Sequence, residues 1–239
     1  MSRLLSEVGG GLLSSFSSVG DDLLSVLDVL EELWGQEKNP MVSAFDDPLD
    51  GLMLTILSQN TNDNNRDRAF DKLKALYPLW EDVAAVTPDE LADAIRVAGI
   101  ANVKAARMLD VLKIIHDELG EYGLTRLKER EPDGVRAFLE GLPGVGPKTA
   151  ACVLVFDMDI PAFPVDTHVA RFCRRMEWVA PSANPVRIQE YMEKIVPDER
   201  KKGAHLNIIS HGKSICKARK PICSRCPLAD SCPSSETGR

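Results

Sequence analysis

Long apolar runs are missing from this 239-residue sequence: the longest uninterrupted one, Ala150 to Phe156, falls far short of the roughly 18 residues that a membrane helix requires. A membrane span is therefore excluded. A secretory signal is lacking too, because the first residues carry a single Arg3 and an apolar stretch broken by Ser6, Glu7, three consecutive glycines and Ser14-Ser15. An intracellular, cytoplasmic protein is expected. Excess positive charge is also absent. With 29 Lys and Arg against 36 Asp and Glu, the net charge of −7 excludes a protein that coats nucleic acid by bulk attraction to phosphate. One local stretch runs the other way: between Lys201 and Ala229 lie Lys201, Lys202, Lys213, Lys217, Arg219, Lys220 and Arg225, with no acidic residue. Such a stretch fits either a nucleic-acid contact or a solvated basic surface. Internal repeats are not found, and neither is any convincing alternation of apolar and polar residues bounded by turn signals.

What is present is helical spacing, so an all-α fold is expected. A helix opens at Asp21-Asp22, carries Leu23, Leu24, Val26, Leu27, Leu30 and Leu33, and ends near Gly35. The glycine- and serine-rich residues 1–19 before it are expected to be a loose extension. Further helices are predicted over 48–57, 64–76 and 103–119. Another begins at Thr87-Pro88-Asp89-Glu90, a capping box with proline at the first helical position.

Leu142-Pro143-Gly144-Val145-Gly146-Pro147-Lys148-Thr149-Ala150 carries the strongest local signal. Val135, Phe138, Leu139 and Leu142 precede it with helical spacing, Pro147 suits a first helical position, and Ala150, Val153 and Leu154 continue a second helix. The unit reads as helix, glycine turn, helix. Gly144 and Gly146, on either side of Val145, let a ligand approach the backbone of this turn closely, and the amides at the second helix start favour an anion such as a DNA phosphate. Lys148 stands in that first turn, where the helix dipole opposes its charge. The dipole and partial burial together would raise the neutral, nucleophilic fraction of its amine; a surface lysine touching phosphate fits the same residues. Eighteen residues later, a proline-bearing loop ends in Val165-Asp166-Thr167-His168, with Asp166 as the expected N-cap of the next helix. A carboxylate so held can be a simple cap or can stabilise a cationic sugar transition state. His168 is expected to be structural.

Six cysteines in a reducing compartment are poor candidates for disulfides. Cys216, Cys223, Cys226 and Cys232 are separated by six, two and five residues, and only Cys223 and Cys226 form the short knuckle that zinc sites use in pairs. Four thiolates suit an iron–sulfur cubane, although spacing alone leaves zinc open. Cys152 and Cys173 lie on apolar helix faces and are expected in the core.

The hairpin, the Val-Asp-Thr-His at 165–168, the gap between them and the four cysteines together resemble the endonuclease III family of helix-hairpin-helix DNA glycosylases, over about residues 20 to 235. The resemblance implies a six-helix barrel domain containing the helix-hairpin-helix at 41–160, and an iron–sulfur cluster domain made of 20–40 and 161–239. It implies a [4Fe–4S] cluster on Cys216, Cys223, Cys226 and Cys232, with Lys148 as Schiff-base nucleophile and Asp166 as catalytic carboxylate. The implied partner is double-stranded DNA containing damaged bases or abasic sites, bound by a monomer associated with the nucleoid. The implied activity is that of a DNA glycosylase with abasic-site lyase activity, directed at oxidised pyrimidines. Lys217, Arg219 and Lys220, lying between the first two cysteines, would face the phosphate backbone. Two departures from the family stand out. Asn60 takes the place of the glutamine that enters the gap left by a flipped base, while Gln59 stands one residue earlier. In the second DNA-facing loop, residues 99–105, Asn102 is a candidate contact, and Ala101 is small for a wedge. Residues 121–131 look like an insertion. A monofunctional glycosylase for alkylated or mismatched bases is the alternative enzyme reading, and a non-catalytic DNA-binding module the alternative from another class.

Overall fold

A computed structural model describes residues 10–35 and 45–235, and side chains from residue 22 onward. Its described residues form helices α1 (Gly10–Trp34), α2 (Pro48–Ser58), α3 (Asp63–Leu76), α4 (Trp80–Ala84), α5 (Pro88–Ala94), α6 (Ala101–Leu119), α7 (Pro132–Glu140), α8 (Pro147–Asp157), α9 (Thr167–Arg175), α10 (Pro185–Ile195) and α11 (Lys201–Ser214), with short 3-10 turns and no strand. The all-α expectation holds. None of these helices is long and apolar enough to cross a membrane.

Local chemistry explains most starts. Asp47 caps α2 by accepting from the Leu49 amide at 2.7 Å, with Pro48 next in line. The predicted capping box closes on both sides: Thr87 Oγ1 accepts from the Glu90 amide at 3.3 Å, and the Glu90 carboxylate accepts from the Thr87 amide at 2.8 Å. Two starts differ from expectation. α1 begins at Gly10, so residues 10–19, expected to be loose, are helical. Residues 1–9 of that expected extension lie outside the described residues. α6 starts at Ala101 because Ile100 turns the chain with φ +43, ψ 41.

The chain divides into two compact units, residues Met41–Pro164 and residues Met1–Pro40 with Val165–Arg239. The first is a helical unit whose core joins Leu52, Met53 and Ile56 of α2 to Met108, Val111, Leu112 and Ile115 of α6 and to Val153 and Leu154 of α8. α8 is buried almost all round, as a central helix must be. Gly51 lets α2 approach it, since a Cβ there would overlap the Asp157 carboxylate. Residues 121–131 do not stand out from this unit: Leu124 and Leu127 are fully buried. Asp47 accepts from the Leu124 amide and the Thr125 hydroxyl, both at 2.9 Å. In the second unit α11 packs on α1 and α9. Arg200, at the entrance to α11, reaches Glu31 at 2.8 Å and Asp28 at 2.7 Å on α1.

Candidate active site and cluster loop

The hairpin forms as the sequence predicts. α7 ends at Gly141, the turn closes through a Val145 amide bond to the Leu142 carbonyl at 3.1 Å, and Gly144 adopts φ +73. Gly146 is the N-cap of α8 and provides no side-chain cap, Pro147 lacks an amide, and no acidic residue stands in the first turn. The remaining first-turn amides are therefore left for an external acceptor, the arrangement that binds anions. Lys148 is exposed on this turn and, among the described residues, makes no ion pair. Here the expectation of partial burial is corrected: the Lys148 side chain is open to solvent at the helix start.

Within the same unit, the loop between α2 and α3 does not present its two polar residues alike. Gln59 is half-buried, and both ends of its amide are engaged: Oε1 accepts from Arg107 at 2.5 Å, and Nε2 donates to the Gly144 carbonyl at 3.1 Å. Asn60 is exposed in the left-handed region at φ +54, a conformation asparagine tolerates better than most residues. Asn62 caps α3, accepting from the Asn65 amide at 2.9 Å.

In the loop before α6, Asn102 is exposed, and so is Ile100, half its surface open to solvent despite its apolar side chain. A β-branched residue in the left-handed region is strained by the order of 1–3 kcal/mol. Sequence pattern points to Ala101 rather than Ile100; the available signal for Ile100 is a bulky apolar residue between Gly99 and a helix start without a capping side chain. Equally hidden in the sequence is Lys104, fully buried, whose Nζ donates to the carbonyls of Leu57 and Ala98 at 2.7 Å each. It ties together the roots of both loops.

Asp166 is the N-cap of α9. Its Oδ1 accepts from the Val169 amide at 2.8 Å, and among the described residues Oδ2 has no donor. One oxygen thus fixes the carboxylate and the other stays available. His168 is structural in its contacts: its Nδ1 meets Arg171 at 3.1 Å, and its ring lies against Gly212, where a Cβ would come within 2.7 Å.

Cys216, Cys223, Cys226 and Cys232 line one cavity, together with Phe172, Arg175 and His211. None of the four is joined in a disulfide. Burial raises the Cys226 and Cys232 thiols above their ordinary range, and the charges of the neighbouring cysteines act in the same direction. Arg175 donates to Cys216 Sγ at 3.1 Å and to the Lys217 carbonyl at 2.8 Å, while Arg171 donates to the Cys216 carbonyl at 2.9 Å. Among the described residues no trio of His, Cys, Asp or Glu is arranged for a single metal ion. Four cysteine sulfurs lining one cavity fit a [4Fe–4S] cubane, which four thiolates hold. Burial also pushes the Cys173 thiol up to about 12; it and Cys152 are core residues, as expected.

Lys217, Arg219 and Lys220 are exposed between the first two cysteines, and Lys213 and Arg225 are exposed nearby. Lys201 and Lys202 are not: both are buried, and Lys201 meets Asp198 at 2.5 Å. The basic stretch therefore contributes fewer surface charges than its composition implies.

Comparison with known proteins accords with this arrangement. Residues 53–198 match the family described as HhH-GPD superfamily base excision DNA repair protein, and residues 216–232 match the iron–sulfur binding domain of endonuclease III. Endonuclease III of Escherichia coli K12 is 33% identical over 86% of this chain and 93% of its own length. Endonuclease III of Thermotoga maritima is 34% identical over 78% of this chain and 83% of its own. A solved structure of a trapped endonuclease III–DNA covalent intermediate superimposes with a TM-score of 0.78 at 26% identity, covering 90% of this chain and 96% of that one. A thermostable thymine-DNA glycosylase shares the fold, with a TM-score of 0.74 at 21% identity over 93% of this chain and 99% of its own.

Proposed function

The chain belongs to the endonuclease III family of the HhH-GPD superfamily and is a DNA glycosylase with a [4Fe–4S] cluster, and from that premise we propose that it removes oxidised pyrimidines from duplex DNA and cleaves the resulting abasic site through Lys148. The observation that carries this reading is the exposed Lys148 amine on the uncapped first turn of α8, beside amides that suit a phosphate.

Extruding a base costs a few kcal/mol and least for a damaged one. The side chains of Asn60 and Ile100 suit the two tasks left by extrusion: a polar group for the orphaned partner base and an apolar wedge for the opened stack. Asn102 would contact the backbone. Neutral Lys148 Nζ attacks C1′ as the bond from C1′ to the base nitrogen breaks, and the base leaves with a proton. Opening of the sugar ring gives an imine. Loss of a C2′ proton then expels the 3′ phosphate by β-elimination. Asp166, ionised, stabilises the positive charge that develops on the sugar.

Cys216, Cys223, Cys226 and Cys232 would hold the cluster, which supplies a cross-link among four points of the loop. That loop carries Lys217, Arg219 and Lys220 toward phosphate.

Borohydride trapping on duplexes carrying oxidised pyrimidine, alkylpurine or mismatched bases tests the reading. Wild type should form a covalent adduct on the oxidised pyrimidine, Lys148→Gln should form none, and Asp166→Asn should lose turnover far more than affinity. Base release from alkylated or mismatched DNA without an adduct would establish the monofunctional alternative instead. Failure to release any base or nick abasic DNA would leave only a DNA-binding module.

A further inference from the structure

The peptide unit joining Gly144 to Val145 is held at both ends. Its N–H donates to the Leu142 carbonyl at 3.1 Å, and its carbonyl accepts from Gln59 Nε2 at 3.1 Å. Glycine at φ +73 has a wide range of backbone conformations open to it, so the orientation of this peptide needs an outside constraint. Gln59 supplies one. Gln59 in turn is fixed by Arg107 of α6, whose guanidinium donates to its Oε1 at 2.5 Å. Arg107 also lies directly over Gly144, where a Cβ would overlap the Arg107 side chain. Glycine at 144 therefore serves two ends: it permits the left-handed turn and leaves room for the arginine.

We infer that Gln59 and Arg107 are positioning residues, holding the 144–145 peptide so that the amides beyond it, at the start of α8, meet a phosphate in a fixed direction. Gln59 acts through Gly144 rather than by touching a base, which leaves Asn60 as the outward residue of that loop. This rests on the reading that the hairpin binds DNA. The bridge joins the loop that follows α2, the body of α6 and the turn before α8, so seating a phosphate on the turn and ordering the loop become one event.

The test uses the holoprotein with Gln59→Ala, Arg107→Ala and the double variant. Amide hydrogen exchange is measured first without DNA, so this arm does not depend on any activity. Each single variant should speed exchange across residues 142–149 by roughly three- to tenfold, the factor expected of one ordinary hydrogen bond. The double variant should go no further, and exchange in α3 and α9 should stay as in wild type. Affinity for a duplex with a tetrahydrofuran abasic analogue, read by fluorescence anisotropy, should weaken by a similar factor. The single-turnover rate at saturating DNA should hold within about twofold, because the reacting groups are untouched. Gln59→Glu keeps the acceptor for Arg107 but turns an acceptor toward the Gly144 carbonyl, and should behave like Gln59→Ala. Unchanged hairpin exchange would overturn the inference, as would additive effects of the two substitutions. So would weakened DNA binding by Gln59→Ala with exchange unaltered, since that is the signature of direct contact. Wild type that binds and cleaves no DNA would instead defeat the functional reading, with the exchange results standing by themselves.

Discussion

Lys104→Met removes a single charge from the interior and should loosen two loops at once. The Lys104 ammonium has no exposed surface, and burial holds its pKa below the ordinary lysine range. Two bonds of 2.7 Å, to the carbonyls of Leu57 and Ala98, keep it in place. Methionine fills nearly the same volume, so packing is largely conserved. What changes is polar: two buried carbonyls lose a charged donor, at about 1–3 kcal/mol each, while relief of the buried charge returns part of that. A net loss of about 2–4 kcal/mol is expected. For a protein of this size that lowers the melting temperature by about 2–4 °C per kcal/mol, hence roughly 4–16 °C. Thermal unfolding of the holoprotein followed by far-UV circular dichroism reads this directly. Leu57 leads into the loop of Gln59 and Asn60, and Ala98 into that of Gly99 and Ile100, so limited proteolysis should also cut faster at residues 58–62 and 98–101. A melting temperature within about 2 °C of wild type with unchanged cleavage would refute the view that this one ammonium anchors both.

Gly51→Ala should destabilise the protein by about 1–3 kcal/mol in thermal melts, because the added methyl group meets the Asp157 carboxylate where α2 crosses α8. Cys173, with a folded-state value of about 12 against an ordinary 9.0, stabilises the protein fully below pH 9 and loses that contribution as pH rises toward 12, since only the unfolded chain then releases the proton. Denaturant titrations across that window should show a smaller alkaline decline for Cys173→Ala than for wild type. Reversing Lys217, Arg219 and Lys220 to glutamate should weaken DNA binding and flatten its dependence on salt, by about 0.9 in the logarithmic slope for each phosphate that is no longer neutralised; an unaltered slope would remove these residues from the interface.

Features written in neighbouring residues are the legible ones. The Thr87 and Glu90 capping box, Pro48, Pro132 and Pro147 at helix starts, and Asp166 as a cap all act within about one helical turn, and the same local patterns disclose the hairpin and the cysteine loop. Interactions across long chain separations are not. Gln59 lies 48 residues from Arg107 and 85 from Gly144, and nothing in its immediate surroundings distinguishes a glutamine held by the protein from one facing DNA. Lys104 reads as an ordinary lysine near the start of a helix until the carbonyls of Leu57 and Ala98 are placed beside it. The adjacent pair Lys201-Lys202 misleads for a related reason: charge runs are usually solvated, and here the start of α11 is buried. Lys148 departs in the opposite direction, being exposed where the sequence reading expected partial burial.

An all-helical protein leaves the last carbonyls of its helices, and those of the loops between them, without intrahelical donors, and long basic side chains are the groups best able to reach them. Lys104 serves Leu57 and Ala98, Arg171 serves Gly212 and Cys216, Arg174 serves Ala183, and Arg175 serves Cys216, Lys217 and Ala218. Each such cation is held in place by the protein's own backbone. A chain with net charge −7 that also holds its cations inward has to recognise DNA through a few directed groups. The uncapped amides beside Lys148 suit that task because they are fixed dipoles whose attraction to a phosphate survives the unfavourable overall charge, provided the turn that aims them is held still.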